Sequence, residues 1–154
     1  MKLDSTIAAI VTGGASGLGK ASAHALASEG VKVAIFDVNE EAGTAIANEI
    51  GGSFHKVDIL SEESVEAGFA AARDLNGQER VLIHCAMASK GGKTVNKDRE
   101  TGGLKRMSTE DYGFSAEGIL VASYRMASIA ALGMASTDPD RNSSNRCLAT
   151  ADHF

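Results

Sequence analysis

The chain reads as an α/β protein: a doubly wound parallel sheet of about four strands, in order 3-2-1-4, with helices on both faces. Three observations predict this. An apolar run, Ile7-Ala8-Ala9-Ile10-Val11, leads directly into Thr12-Gly13-Gly14-Ala15-Ser16-Gly17-Leu18-Gly19, which opens a helical pattern at Leu18, Ala21, Ala25 and Leu26. Short apolar runs then alternate with helix-period segments, the signature of βαβ units with right-handed crossovers. Asp37 closes the second apolar run, Val31 to Phe36, where a Rossmann-type fold offers a carboxylate to a ribose.

The first strand is expected over residues 6–11 and the first helix over residues 17–29. This strand, glycine turn and helix form the context a dinucleotide fingerprint requires. Gly13 permits the tight turn, Gly17 lets backbone approach a pyrophosphate, and Gly19 lets the helix pack closely on the strand. The helix start then offers free amide N–H groups and a positive dipole end to phosphates. An ordinary turn uses glycine equally well, and Asp37 is what favours the nucleotide.

Strand two covers residues 31–36. Asn39 caps a helix over residues 40–50, which Gly51-Gly52 ends. Strand three is short, residues 53–57. Ser61 is an N-cap with Glu62 and Glu63 well placed in the first turn, and Val65, Phe69 and Ala72 form that helix's inward stripe. Asn76-Gly77 stops it, and residues 81–86 form strand four. Residues 88–107 read as a glycine-rich loop carrying Lys90, Lys93, Lys97, Arg99, Lys105 and Arg106. A solvated insertion explains those cations, and so does a phosphate-rich ligand. Ser108 caps a long helix whose Tyr112, Ile119, Leu120, Tyr124, Ile129 and Leu132 supply more apolar surface than one sheet face needs. Residues 138–154 read as a polar, disordered or loosely held tail, leaving residues 1–137 as the nucleotide-binding domain.

With 154 residues, 44% of them hydrophobic and 23% charged, the composition suits one soluble globular domain. A formal charge of −5 argues against nucleic acid as a generic partner. No uninterrupted apolar run approaches the ~20 residues of a membrane span, and the first six residues lack a signal-peptide core, so the expected location is cytoplasmic. Cys85 and Cys147 lack CxxC spacing, and Cys85 reads as a small apolar residue at a strand end. His24, His55, His84 and His153 lack metal-ligand spacing, so no metal site is expected. Lys20 in the first helical turn favours a phosphate, even the 2′-phosphate of NADP. Asp37 repels that phosphate and accepts bonds from an unmodified ribose, which makes NAD the expected cofactor.

The GxxxGxG spacing behind Thr12, with Asp58-Ile59 after the third strand, resembles the short-chain dehydrogenase/reductase family. Within it, residues 91–100 and Tyr124-Arg125-Met126-Ala127-Ser128 look most like type II 3-hydroxyacyl-CoA dehydrogenases. The resemblance spans about residues 5–137. It implies an NAD(H) site with Gly13, Ser16, Gly17, Leu18 and Gly19 around the pyrophosphate. Asp37 then meets the adenosine ribose, Asp58 and Ile59 the adenine, and Cys85 and Ala86 stand beside the cofactor. It also implies an acyl-CoA-like ligand at the charged loop, packing of the long helix against a second copy, and a mitochondrial alternative to the cytoplasm.

The departures from the family pattern are as informative. The family's Tyr-x-x-x-Lys pair, upstream Ser and Asn are missing: Ala116 stands four residues beyond Tyr112, Ser128 four beyond Tyr124, and Ile119 where the Asn falls. Its Asn-Cys-Ala-Gly turn reads His84-Cys85-Ala86-Met87. His84 takes a family Asn position near the cofactor, where contact with the nucleotide is one reading and a tolerated substitution in a partly buried strand is the favoured one. Met87 intrudes where glycine leaves room for a ribose. No catalytic residue is assigned. Three functions stay open: an NAD(H)-binding chain that turns over little, a working hydroxyacyl-CoA-type dehydrogenase using other residues or a complementing chain, and a non-enzymatic, self-associating remnant. An unpaired edge of strand four offers a second route to self-association.

Overall fold

Ala8–Thr12 forms β1, and all five of its residues are buried because strands flank it and helices cover both its faces. The computed structural model describes residues 2–137 and 147–150. After β1 come α1 (Gly17–Ser28), β2 (Lys32–Asp37), α2 (Glu40–Ile50), β3 (Ser53–Lys56), α3 (Glu62–Asn76) and β4 (Glu79–His84). A small antiparallel hairpin follows, β5 (Val95–Lys97) with β6 (Leu104–Arg106). The long helix consists of α4 (Thr109–Ala116), a π turn (Glu117–Val121) and α5 (Ala122–Thr137), and β7 (Cys147–Thr150) comes last.

The main sheet has the order β3-β2-β1-β4-β7, with every neighbouring pair parallel. The predicted 3-2-1-4 order is therefore the order observed. Alternation along the strands divides the core into two layers. Ile10, Phe36 and Leu82 face Val65 and Phe69 of α3 and Met126 and Ala130 of α5. Ala9, Val11, Val33 and Ile35 face Ala23 and Leu26 of α1 and Ile46 of α2. Phe36 and Phe69 meet edge to face at 5.5 Å.

Four differences from the sequence reading have physical causes. First, residues 147–150 are a strand rather than loose tail: β7 pairs with β4 from Val81↔Cys147 to His84↔Thr150. The unpaired N–H and C=O groups of a parallel edge accept an extended segment, so the expectation of a bare β4 edge is corrected. The remainder of the predicted tail lies outside the described residues.

Second, β4 begins two residues early, at Glu79. Glu79 is 1% exposed, and the Arg73 guanidinium donates to both of its carboxylate oxygens, at 2.9 and 2.8 Å. A charged residue enters the strand because its partner on α3 comes with it. Third, the charged loop contains the β5–β6 hairpin, tied by Asp98, which accepts from the Glu100 and Thr101 amides. Fourth, the long helix is apolar and long enough to cross a membrane by length and composition, a property the search for uninterrupted apolar runs did not anticipate. Ala122, Met126, Ala130 and Met134 recur every fourth residue along it, buried. That stripe packs against the sheet layer and accounts for part of its apolar content.

Candidate functional site

The carboxyl ends of β1, β2, β3 and β4 surround a cavity of about 370 Å³. All ten residues predicted for the cofactor line it: Gly13, Ser16, Gly17, Leu18, Gly19, Asp37, Asp58, Ile59, Cys85 and Ala86. Val38, Val57, Met87 and Ala88 complete the lining. Ligands of doubly wound sheets sit at this end, where crossovers leave a crevice.

The glycine turn brings α1 close to the sheet. Gly13 has φ +65°, and a Cβ there would meet the Ala86 amide nitrogen at 2.9 Å; a Cβ on Gly19 would overlap the Gly13 carbonyl. The helix start is therefore pressed against the turn and against the β4 exit. Ser16, the N-cap, is extended and makes no capping bond, and no acid follows in the first turn. The first-turn amides lack intrahelical partners and carry the positive end of the helix dipole. An anion with several acceptor oxygens suits them.

Asp37 is fixed at the cavity edge. Its Oδ2 accepts from the Ala15 amide at 3.1 Å and its Oδ1 from the Asn39 amide at 3.0 Å, and each oxygen keeps acceptor capacity for a hydroxyl. Asp58 Oδ1 accepts from Leu60 N at 2.9 Å, while Asp58 N donates to Ser64 Oγ at 3.0 Å. Among the described residues, the lining includes no Lys or Arg. Lys20 does not line it; its Nζ lies 3.8 Å from Glu49.

One buried hydroxyl holds the opposite wall. Thr12 Oγ1 accepts from the amides of Cys85 and Ala86, both at 3.1 Å. With both acceptor positions used, its proton goes to His84 Nδ1 at 2.7 Å. His84 is 1% exposed and does not line the cavity. It supports the wall from behind. His55 packs edge-on against Phe36, and burial pushes its imidazole below the usual range. Among the described residues, no cluster of His, Cys, Asp or Glu is arranged to hold a metal.

The hairpin gathers four of the six predicted cations, Lys90, Lys93, Lys105 and Arg106, around a second depression with Asn96, Ser108 and Asp111. Lys90 Nζ lies 2.8 Å from Asp111. Their hydrogen bond raises the lysine above its ordinary pKa and lowers the carboxyl below its own. Lys105 pairs with Asp98 at 3.2 Å. The Thr101 amide, followed by Lys105, pushes Asp98 down to about 2.

Tyr112 and Tyr124 are 67% and 74% exposed, and neither lines the nucleotide-side cavity. Ile119 falls within the π turn. Sequence reasoning passed over Val38, Val57 and Ala88, apolar residues with no motif of their own. It also passed over Arg125, which touches a lining residue from the long helix; a lone cation within an apolar stretch was the available signal.

Comparison with known proteins agrees with this geometry. The family model for short chain dehydrogenases matches residues 7–108. The human 3-hydroxyacyl-CoA dehydrogenase type-2 is 30% identical over 140 residues, 88% of this chain and 51% of the relative. The Drosophila melanogaster protein of the same name is 39% identical over 89 residues, 56% of this chain and 35% of the relative. The crystal structure of 3-hydroxyacyl-CoA dehydrogenase type-2 from Mycobacterium avium superposes with a TM-score of 0.79 at 29% identity, covering 97% of this chain and 58% of that one. The chain thus spans about half the length of its human relative and about a third of the Drosophila one. A strand order of 3-2-1-4, a glycine turn pressed under α1 and the match over residues 7–108 converge: the chain belongs to the short-chain dehydrogenase family.

Proposed function

We propose that the cavity binds NAD(H), and that the chain is the nucleotide-binding part of a 3-hydroxyacyl-CoA dehydrogenase-like oxidoreductase that transfers little or no hydride by itself. The observation that carries this reading is the convergence of the uncapped α1 start and Asp37 on one cavity whose described lining has no cation. The first-turn amides hold the pyrophosphate and Asp37 accepts from the ribose hydroxyls. A 2′-phosphate brings its charge against the same carboxylate, which favours NAD over NADP. When bound, the nicotinamide supplies the hydride chemistry.

Proton transfer is the weak point. General acid–base help is worth about 10²- to 10⁴-fold in rate, and both tyrosines project from the outside of the long helix. Met87, 41% exposed in the cavity wall, is a long side chain at the β4 exit that takes up room in the nicotinamide half of the site. Fluorescence titration with NADH and NADPH tests the binding, with NADH expected to bind and NADPH to bind more weakly. Absence of binding favours the alternative, a non-enzymatic remnant. Turnover of acetoacetyl-CoA with NADH near the usual ~10 per second overturns the catalytic part.

Two partner readings accompany it. The cations around the hairpin suit the phosphates of an acyl-CoA-like ligand, the class in the relatives' names; coenzyme A affinity that is unmoved by Lys93→Glu counts against this. The outer face of the long helix, with Leu120, Tyr124 and Leu132 each at least 70% exposed, suits a second copy of the chain. A monodisperse monomer in sedimentation at tens of micromolar removes that reading.

A further inference from the structure

We propose that Arg125 is a positioning residue for the nucleotide cavity, tying one of its walls to the segment of the long helix that also holds the other. The inference rests on the nucleotide reading above and adds to it a residue that holds the site open rather than touching the ligand.

The cavity's two walls leave the sheet from strands that are not neighbours. One is the segment Val57-Asp58-Ile59 after β3, the other Cys85 to Ala88 after β4, and β2 and β1 lie between those strands. Adjacent-strand pairing does not join them directly. The long helix touches both. Arg125 Nη1 donates to the Ile59 carbonyl at 2.6 Å, and its Nη2 donates to Glu117 Oε1 at 2.9 Å. Ala88 N donates to the Gly118 carbonyl at 3.2 Å, and a Cβ on Gly118 would overlap the Ala88 carbonyl. Glu117 and Gly118, adjacent in sequence, therefore anchor one wall through Arg125 and the other directly.

The helix geometry makes this possible. Residues eight apart in a regular helix lie about 80° apart around the axis. Glu117 opens the π turn, whose wider spacing unwinds the intervening segment and turns Glu117 back toward the face of Arg125. Such π turns cluster at functional sites. The Arg125 side chain is 13% exposed, and burying a guanidinium is costly unless its donors are used. Stability alone does not call for a cation there, since apolar replacements of buried ion pairs are often neutral or better. What the guanidinium does is hold the Ile59 carbonyl, and with it the turn that presents Asp58 and Ile59 to the cavity. Holding that wall before the ligand arrives removes an ordering cost from binding.

The test uses the full chain and two readouts. In Arg125→Met, which keeps the apolar stem and loses the donors, amide hydrogen exchange without nucleotide should quicken at Leu60 and Ser61 while Ala88, held by Gly118 directly, and α2 are unchanged. The dissociation constants for NADH and for AMP should both rise about tenfold, the value of a hydrogen bond to a charged group. The preference for NADH over NADPH should stay, because Asp37 is not part of the brace. Arg125→Lys, a point charge that reaches the carbonyl without the planar fork, should fall between, and it carries the test if the methionine variant unfolds. Wild-type affinity in Arg125→Met, or faster exchange spread evenly over the chain, overturns the proposal. A wild-type chain that binds neither NADH nor AMP, while the local exchange pattern holds, overturns the nucleotide reading and the positioning role with it.

Discussion

Helices α1 and α3 both begin at a serine, and the two serines behave differently. Ser61 accepts from the Ser64 amide at 3.2 Å, and Glu62 and Glu63 follow it in the first turn. Ser16 makes no capping bond, and Gly17, Leu18 and Gly19 follow it. α2 and α4 behave like α3: Asn39 and Ser108 cap their own amides, with acids in both first turns. Where a helix start serves the fold alone, side chains supply its acceptors and its negative charge. Where it borders the cavity, the sequence withholds both and substitutes glycines that let the turn approach. The difference fits the proposed role of the α1 start, an end left open to the pyrophosphate of a nucleotide.

The largest expected effect tests how tightly that end is built. Gly19→Ala drives a methyl into the Gly13 carbonyl and should cost at least about 3 kcal/mol, the upper part of the overpacking range, read as a lower urea midpoint. Ser64, the same position in α3, already carries a side chain, and its hydroxyl accepts from the Asp58 amide at 3.0 Å. A Gly19→Ala chain of wild-type stability breaks the comparison.

Asp37→Ala should weaken NADH binding by about 1.5–3 kcal/mol, the range for hydrogen bonds to a charged group, in the same fluorescence titration. It should also narrow the difference between NADH and NADPH. Unchanged affinity for both shows that the cavity is read wrongly.

The serines themselves come next. Ser61→Ala should cost about 1 kcal/mol of stability and leave nucleotide affinity alone. Ser16→Ala, with no capping bond to lose, should stay within about 0.5 kcal/mol. Equal losses at the two sites erase the distinction.

Leu18→Glu gives α1 the acid its sister helices carry. It should raise stability by about 0.3–1 kcal/mol through the helix dipole while weakening NADH binding, because the new carboxylate faces the pyrophosphate. Both quantities moving in the same direction counts against an anion at this end.

The smallest effect concerns Asp98, whose carboxyl caps hairpin amides as Ser61 caps those of α3. Its folded value of about 2 lies below the ordinary 3.8. The contribution of the ionised form is therefore complete above pH 4 and is lost as pH falls toward 2. Amide chemical shifts of Glu100 and Thr101 should follow that protonation with a midpoint near 2, and a midpoint near 4 removes the inference.

Much of the architecture was legible in the sequence. Asn39, Ser61 and Ser108 each cap the helix they were read as starting, and the ten predicted site residues share one cavity. The cap readings succeed because a capping side chain acts on amides two or three residues away. The start of β4 was read late, because Glu79 is buried only by virtue of Arg73. The hairpin within residues 88–107 was missed because its strands are short and exposed, with no buried face to impose alternation.

The sequence by itself determined the order of strands and helices, the turn under α1 and the acid opposite it, because each follows from local backbone geometry and hydrophobic period. Only the tertiary structure decided that β7 pairs with β4, that His84 supports a wall through Thr12 instead of facing the cavity, and that Arg125 reaches the Ile59 carbonyl. Those contacts join residues 66 to 72 positions apart. Whether two distant groups meet depends on how the layers pack, and no local spacing records that.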